Sequence, residues 1–311
     1  MIRSMYSGIS GLKNFQTKLD VIGNNIANVN TYGFKKGRTV FKDLISQTTA
    51  GASAATETRG GVNAKQVGLG SQLAAIDTIQ AGGALQSTGN TLDLAISGDG
   101  FFVVADGVGR NDGATPAAPT DFENPVYTRA GNFYMDNKGY LVNGDGKYVY
   151  GVSANVDADD LDTDFPVATL PEDPKIVSGA EPAADTMRPI RIPTNAQSMS
   201  IGQDGTVTFV DSTGTLKYAG QLVLVKFPNA GGLEKSGSNY FKDSSNSGEP
   251  FYGISTTQGM GSINSGFLEM SNVDLSEEFT DMIVAQRGFQ ANTRIITTSD
   301  SILEELINLK R

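Results

Sequence analysis

The chain has 311 residues, of which 39% are apolar and 37 are glycine, and it carries a formal net charge of −10 without any histidine, cysteine or tryptophan. The absence of histidine and cysteine excludes imidazole acid–base catalysis, thiol nucleophiles, disulfides and the common zinc sites. The acidic balance argues against nucleic acid as a main partner, because phosphate binding depends on clustered lysine and arginine. We therefore predict a protein that is not an enzyme and that binds no cofactor.

The chain shows no signal for a membrane or for secretion by a cleaved leader. No apolar run reaches the roughly 20 residues that span a bilayer. Residues 1–8 lack the hydrophobic stretch and the small-residue cleavage site of a signal peptide. We predict neither membrane insertion nor a removable signal peptide.

The N-terminal segment has the heptad pattern of a coiled-coil helix, with two apolar series that each recur every seven residues. The series are Met5, Leu12, Leu19, Ile26 and Met1, Phe15, Ile22, Val29. Gly8 holds the one position of the second series that lacks an apolar side chain. An amphipathic helix that covers a globular core would show the same pattern, so periodicity alone leaves both alternatives open.

The C-terminal segment repeats this design. One series is Leu275, Met282, Phe289, Ile296, Leu303, and the neighbouring one is Ile295, Ile302, Leu309. Asp274 followed by Glu277 predicts a capping box that starts the helix. Between the series lie the polar residues Gln286, Asn292 and Ser299, which are suited to fixing the register of a helix pair. We predict that residues 1–30 and 272–311 pair as a terminal coiled-coil domain.

The middle of the chain has the short alternating runs and turn signals of a β-structure, and Asp136-Asn-Lys-Gly139 and Asp211-Ser-Thr-Gly214 are two of these signals. The predicted body is a β-sandwich or barrel made from a discontinuous segment, residues 71–151 plus 188–271. Residues 31–70, rich in Gly, Ala, Thr and Ser, are predicted as an extended connector. Residues 152–187 are strongly acidic and lack periodicity, and we interpret them as an insert.

Two segments resemble ligand-binding loops but fail their requirements. The aspartates from Asp157 to Asp164 suggest calcium, yet an EF-hand loop needs glycine at its sixth position and glutamate at its twelfth, where Asp162 and Ala168 stand. The run Gly144–Lys147 lacks the other residues of a phosphate loop and predicts a hairpin turn instead. We predict no metal site.

Several motifs, quoted in chain order, carry a resemblance to a known family. They are Leu19-Asp-Val-Ile-Gly-Asn-Asn-Ile-Ala-Asn28, Thr31-Tyr-Gly-Phe-Lys35, Leu92-Asp-Leu-Ala-Ile96, Gly98-Asp-Gly-Phe-Phe-Val103, Tyr127-Thr-Arg-Ala-Gly-Asn-Phe133, Leu268-Glu-Met-Ser-Asn-Val-Asp-Leu275 and Gln286-Arg-Gly-Phe-Gln-Ala-Asn292. These motifs closely resemble those of the bacterial flagellar rod and hook axial proteins. The resemblance covers the chain except residues 152–187.

The resemblance implies a subunit that polymerises into a flagellar tube, with paired terminal helices lining the tube and a β body in its wall. Within the family, residues 22–28, 31–35 and the run Val67-Gly-Leu-Gly70 are more similar to hook subunits than to distal rod subunits, which remain the alternative. The implied partners are further copies of the chain, the distal rod, hook-cap and hook–filament junction proteins, and the flagellar type III export apparatus. The implied location is the extracellular hook or basal body. A secreted β-rich adhesin or sugar-binding module is the alternative from another class.

We expect the assembly interface to lie on the two terminal helices. In the first helix it comprises Met5, Leu12, Phe15, Leu19, Ile22, Asn24, Asn25, Ile26 and Asn28. In the second it comprises Leu275, Met282, Gln286, Phe289, Asn292, Ile296 and Leu303.

Overall fold

The computed structural model describes residues 2–109, 119–153 and 188–309. The chain forms two compact units, each assembled from segments that are distant in sequence. The first comprises Met1–Val29, Lys36–Ile79 and Val273–Arg311, and the second comprises Asn30–Lys35 and Gln80–Asn272. Nearly all of the acidic insert, including the aspartates considered for calcium, lies outside the described residues.

The first unit is built around two long helices, α1 (Ile2–Ala27) and α2 (Leu275–Asn308). They run antiparallel, because Gly8 lies beside Ile296 while Asn25 contacts Glu278 near the other end of the pair. Asp274 caps α2, and its side chain accepts hydrogen bonds from the backbone N–H groups two and three residues later. The predicted pairing of the terminal helices is therefore confirmed. Of the predicted capping box, the Asp274 cap forms, while the Glu277 carboxylate bonds to Lys36.

Four strands complete the first unit: β1 (Gly37–Asp43), β2 (Ser46–Ala50), β3 (Lys65–Gly68) and β4 (Ser71–Thr78). β1 pairs with β4, and β2 pairs with β3, in both cases antiparallel. Helix α1 packs against the β1–β4 pair.

The stretch predicted as a connector, residues 31–70, is thus mostly hairpin structure, and the boundary placed at residue 70 separates strands that pair. Glycine, alanine, threonine and serine suit a flexible linker and an exposed hairpin equally well, and composition does not distinguish them. The partner of β1 lies some thirty residues further along, beyond the range of a local turn signal.

The second unit contains the remaining strands. They are β5 (Leu85–Ser87), β6 (Leu94–Ser97), β7 (Phe101–Gly109), β8 (Pro119–Thr128), β9 (Phe133–Met135), β10 (Leu141–Asn143), β11 (Tyr148–Ser153), β12 (Arg188–Pro189), β13 (Ser198–Ile201), β14 (Thr206–Val210), β15 (Leu216–Lys226), β16 (Glu234–Gly237), β17 (Tyr240–Lys242), β18 (Phe251–Ile254), β19 (Ser262–Ser265) and β20 (Phe267–Glu269).

Most of these strands form one antiparallel sheet in the order β13-β14-β15-β11-β7-β8-β17-β16, to which β9, β10, β12 and β18 attach at the side. The pairs β6–β19 and β5–β20 stand apart from it. Strand β15 pairs with β11 at Gly151↔Leu222 and then with β7 at Phe102↔Leu224. The mainly β body predicted from the sequence is confirmed.

Both faces of the central strands are buried. Along β7, Phe102 and Val104 belong to one apolar cluster, and Phe101 and Val103 belong to the other. Successive side chains of a strand point to opposite faces, so a strand that is covered on both sides needs an uninterrupted apolar run. This explains why residues 101–105 and 222–225 do not alternate with polar residues.

The turn signals read from the sequence fall where turns occur. Asp136–Gly139 links β9 to the start of β10, and Asp211–Gly214 links β14 to β15. In each turn the glycine N–H donates to the aspartate carbonyl oxygen at 2.9 Å, and the glycine adopts a positive φ, +85° and +80° respectively. Glycine is favoured there because other side chains are strained at such φ values.

Candidate assembly surface

The two helices approach closely because small residues lie between them. A Cβ atom on Gly288 would stand 2.5 Å from the Phe15 ring, and one on Gly11 would stand 2.8 Å from Nδ2 of Asn292. Gly8 lies in the same row, and Ile296 packs over it at 3.4 Å from the Cβ position. The apparent gap in the predicted heptad is therefore filled from the partner helix.

The helix seam is defined here by the residues at these contacts and by those buried on the same faces. On α1 they are Gly8, Gly11, Phe15, Ile22 and Asn25, and on α2 they are Glu278, Ala285, Gly288, Asn292, Ile296 and Ser299.

Asn25 joins three elements at one end of the seam. Its Oδ1 accepts from the Gly37 N–H at 3.0 Å, and its Nδ2 donates to the Gly37 carbonyl at 2.9 Å and to Oε2 of Glu278 at 3.2 Å. Asn14 makes a similar link when its Nδ2 donates to Oγ of Ser71 at 2.8 Å. These bonds attach α1 to β1 and β4, and they account for the second asparagine of the Asn-Asn motif.

The carboxyl of Glu278 is buried in this seam. Burial raises its pKa above the ordinary value of 4.5, while the hydrogen bond from Asn25 and the nearby charge of Lys36 act in the opposite direction. Two ion pairs flank the helices, Lys18 to Asp281 at 3.2 Å and Lys36 to Glu277 at 2.8 Å. Both pairs are partly exposed, so they contribute little to stability.

The residues predicted for the interface fall into two groups. Those buried or half-buried are Met5, Leu12, Phe15, Leu19, Ile22, Asn25, Ile26, Asn28, Met282, Asn292, Ile296 and Leu303. Those exposed are Asn24, Leu275, Gln286 and Phe289. The first unit therefore buries, wholly or in part, most of the predicted α1 residues and only part of the predicted α2 residues.

Sequence reasoning missed Gly11, Glu278, Ala285 and Gly288 of the seam, and it also missed Asn14, which bonds to Ser71. A count of large apolar residues cannot find them. The spacing of Ala285, Gly288 and Asn292 at intervals of three and four residues was the available signal, since such residues share one helix face.

Helix α2 keeps many apolar side chains exposed although α1 packs along it. We call the following exposed residues of α2, together with Leu309 directly after it, the apolar surface of α2: Leu275, Phe279, Ile283, Val284, Phe289, Ile295, Ile302, Leu306, Ile307 and Leu309. Large apolar side chains exposed in this number on one helix indicate a site of association.

A second uncovered feature is the hairpin of β2 and β3. Every residue from 45 to 68 is exposed. Beyond the two strands, the bridges Ser53↔Val62 and Thr56↔Arg59 extend the pairing toward its tip. We call residues 45–68 the arm. A two-stranded hairpin without any buried face is marginally stable in water, so contacts from outside the chain would stabilise it.

Within the described parts of the chain, no three histidine, cysteine or acidic side chains gather as metal ligands. None of the described helices has the length and hydropathy needed to cross a bilayer. What stands out instead is a pair of joined chain ends with an uncovered apolar surface, which is the arrangement of a self-associating structural subunit.

Comparison with known proteins agrees with this class. Residues 5–35 match the model of the flagella basal body rod protein, residues 95–209 that of the flagellar hook protein FlgE/F/G D1 domain, and residues 264–309 that of the flagellar basal body rod FlgEFG protein C-terminal region.

The relatives extend over the whole chain. The flagellar basal-body rod protein FlgG of Bacillus subtilis is 52% identical over 312 residues, covering 100% of both chains. The flagellar hook proteins FlgE of Borreliella burgdorferi and Treponema pallidum are 34% and 32% identical, again covering 100% of each chain. The chain belongs to the flagellar rod and hook axial protein family. Among solved structures, Helicobacter pylori flagellar hook protein FlgE2 aligns with 60% of this chain at a TM-score of 0.40 and 10% identity, a likeness too weak to bear on the fold.

Proposed function

We propose that this chain is a structural, non-enzymatic subunit that polymerises into the flagellar hook, the curved tube that passes torque to the filament. The observation that carries polymerisation is the apolar surface of α2, whose side chains are exposed in the described part of the chain. Relatives named as hook proteins support the hook, as do the motifs at residues 22–28, 31–35 and 67–70.

Head-to-tail contacts between identical subunits build an open helix when the rotation does not close a ring. The apolar surface of α2 would supply the strong contact, since burying one large apolar side chain stabilises by ~1.5–3 kcal/mol. The arm would supply a second contact, because pairing or packing by a neighbour removes its exposure. The chain would then meet the distal rod, hook-cap and junction proteins at the two ends of the tube, after export by the type III apparatus.

The distal rod is the second candidate, favoured by the 52% identity to a protein named FlgG. Deleting the gene separates the two. Loss of the hook with the rod still present in purified basal bodies supports the hook assignment, whereas basal bodies that end before the distal rod support the other. Electron microscopy of tubes grown from purified protein gives an independent result, because a curved tube fits the hook and a straight one fits the rod.

A further inference from the structure

A group of buried charges lies in the second unit. The Lys35 ammonium donates to Oε1 of Glu269 at 2.6 Å and to the Ala81 carbonyl oxygen at 2.8 Å. Nη1 of Arg129 lies 3.3 Å from Oε2 of the same glutamate. The side chains of Lys35, Arg129 and Glu269 are 0%, 3% and 1% exposed.

The charges of this group do not balance, because two cations share one carboxylate. Burial lowers the pKa of Lys35, and the attraction of Glu269 opposes that shift. Arg129 has further partners, with Nη2 donating to the Gly98 carbonyl oxygen at 2.9 Å and the guanidinium 5.1 Å from the centre of the Phe101 ring. Loss of Glu269 would leave two buried cations facing each other, which is far more costly than loss of either cation.

The same glutamate also binds backbone from segments that are remote in sequence. Its carbonyl oxygen accepts from the Gly33 N–H at 2.8 Å, and its Oε1 accepts from the Gly83 N–H at 3.0 Å. The next residue, Met270, donates to the Ala84 carbonyl at 2.8 Å. Residues 33–35, 81–84 and 269–270 are therefore held together at one point.

These are the segments by which the chain leaves and enters the second unit. The chain passes between the units after residues 29, 35, 79 and 272. Residues 30–35 are fixed by further bonds, in which Nδ2 of Asn239 donates to the Tyr32 carbonyl at 3.2 Å and Nζ of Lys235 donates to the Lys35 carbonyl at 2.9 Å. Lys235 also lies 4.8 Å from the centre of the Phe34 ring.

We propose that Lys35, Arg129 and Glu269 form a charged clasp that keeps these connecting segments gathered in the β unit whether or not the terminal helices are paired. The clasp uses only residues of the second unit, so closing it requires nothing from the helix seam. Each helix continues directly into a segment that the clasp holds. Force applied to either helix would therefore be transmitted to the β unit through the clasp.

Hydrogen exchange of the full-length chain tests the clasp, with the Gly33 and Gly83 amides as reporters. Ala285→Asp opens the helix seam by placing an unpaired carboxylate at a fully buried position. We expect this variant to accelerate exchange in both helices while leaving Gly33 and Gly83 within about twofold of the parent. Glu269→Gln should accelerate the two reporters at least about tenfold and leave the helices unchanged. Glu277→Gln, which removes a partly exposed ion pair, is the matched control and should alter neither reporter.

Lys35→Met provides a second test if Glu269→Gln fails to fold. It leaves Arg129 and Glu269 as a balanced pair, so we expect a folded protein in which Gly83 remains protected and the 34–36 backbone exchanges faster. Adding Lys35→Met to Glu269→Gln should restore part of the lost protection, because one of the two unpaired cations is removed. The proposal is overturned if Gly33 loses protection together with the helices in Ala285→Asp, or if the double variant is no better protected than Glu269→Gln.

Discussion

The glycines of the terminal helices lie in two different environments. Gly288 lets α1 and α2 touch, whereas the Cβ position of Gly23 has no atom within 4 Å. A glycine in a helix interior lowers stability by about 0.5–1 kcal/mol relative to alanine. Close packing offsets this loss of stability at Gly288. At Gly23 no contact offsets it.

Substitution of these two glycines should therefore have opposite effects. Gly288→Val forces a branched side chain against the Phe15 ring and should lower the free energy of unfolding of the first unit by about 1–3 kcal/mol. Gly23→Ala should raise it by about 0.5–1 kcal/mol. Urea denaturation followed by helix circular dichroism measures both. Equal effects of the two substitutions would show that the helices do not meet at Gly288.

Glu278 makes the first unit sensitive to pH. Its pKa in the folded chain is raised by burial, so its contribution to stability is fully present below the ordinary value of 4.5 and is lost as the pH rises through the folded value. The ionised carboxylate should accordingly lower the stability of the helix pair at neutral pH.

We expect Glu278→Gln to raise the midpoint of thermal unfolding of the first unit at pH 7 and to leave it nearly unchanged at pH 4. The glutamine mimics the protonated carboxyl and keeps an acceptor for Asn25. Glu277→Gln, one residue away and exposed, controls for the general loss of a negative charge on α2. A Glu278→Gln variant destabilised at pH 7 would mean that the carboxylate is stabilised in the seam.

Helix α2 has two kinds of surface, one that pairs with α1 and one proposed to associate with other chains. Ala285 is fully buried in the seam, and Ile283 is 59% exposed on the apolar surface. Helix pairing and association between chains should therefore respond to different substitutions in the same helix.

Ala285→Asp should abolish helix pairing in the monomer, because a carboxylate forced into an apolar contact costs several kcal/mol. Ile283→Asp should leave monomer stability within about 0.5 kcal/mol of the parent and still prevent tube formation. Thermal unfolding of dilute protein and electron microscopy of concentrated protein read out the two properties. Normal tubes from Ile283→Asp would remove this part of α2 from the interface.

The arm gives a prediction of its own. Replacing residues 47–66 by a short Asn-Gly turn should leave the helix pair and the β unit folded, since none of the deleted residues is buried. Tube formation should weaken, with a higher critical concentration for polymerisation. A replacement of the same length by Gly and Ser separates loss of the hairpin from loss of chain length. Unchanged critical concentration in both variants would show that the arm makes no contact in the tube.

The elements could be read from the sequence where the signal was local. The cap at Asp274 and the turns at Asp136–Gly139 and Asp211–Gly214 form as predicted, because each depends on a few adjacent residues. The pairing of β1 with β4 and the Gly8–Ile296 contact depend on residues distant in sequence. A heptad count identified both helices, yet on α2 it selected Leu275 and Phe289, which remain exposed, and passed over Ala285 and Gly288.

At the scale of the molecule, both apolar clusters lie in the second unit, and among its described hydrophobic residues the first unit buries only Ile22 and Ala285. The β unit holds its own apolar clusters, in which Phe102 and Phe133 meet edge to face with ring centres 5.2 Å apart. Stability should therefore divide between cooperative blocks that match the units.

Phe102→Ala should lower the free energy of unfolding of the β unit by about 3–5 kcal/mol, because it empties a fully buried ring position. Ala285→Asp should destabilise only the first unit. Exchange measured residue by residue in the native state distinguishes the blocks. Joint loss of protection in both units for either variant would show one cooperative fold.

The discontinuous first unit also fixes the order in which the molecule can be completed. Its segments come from residues 1–29, 36–79 and 273–311, so α1 waits for a partner helix that is synthesised only after residue 272. The β unit needs nothing beyond residue 272 and can fold while that partner is still absent. The apolar surface of α2 is thus synthesised only after the β unit, and under the proposed assembly a growing chain that lacks it cannot yet associate with finished subunits.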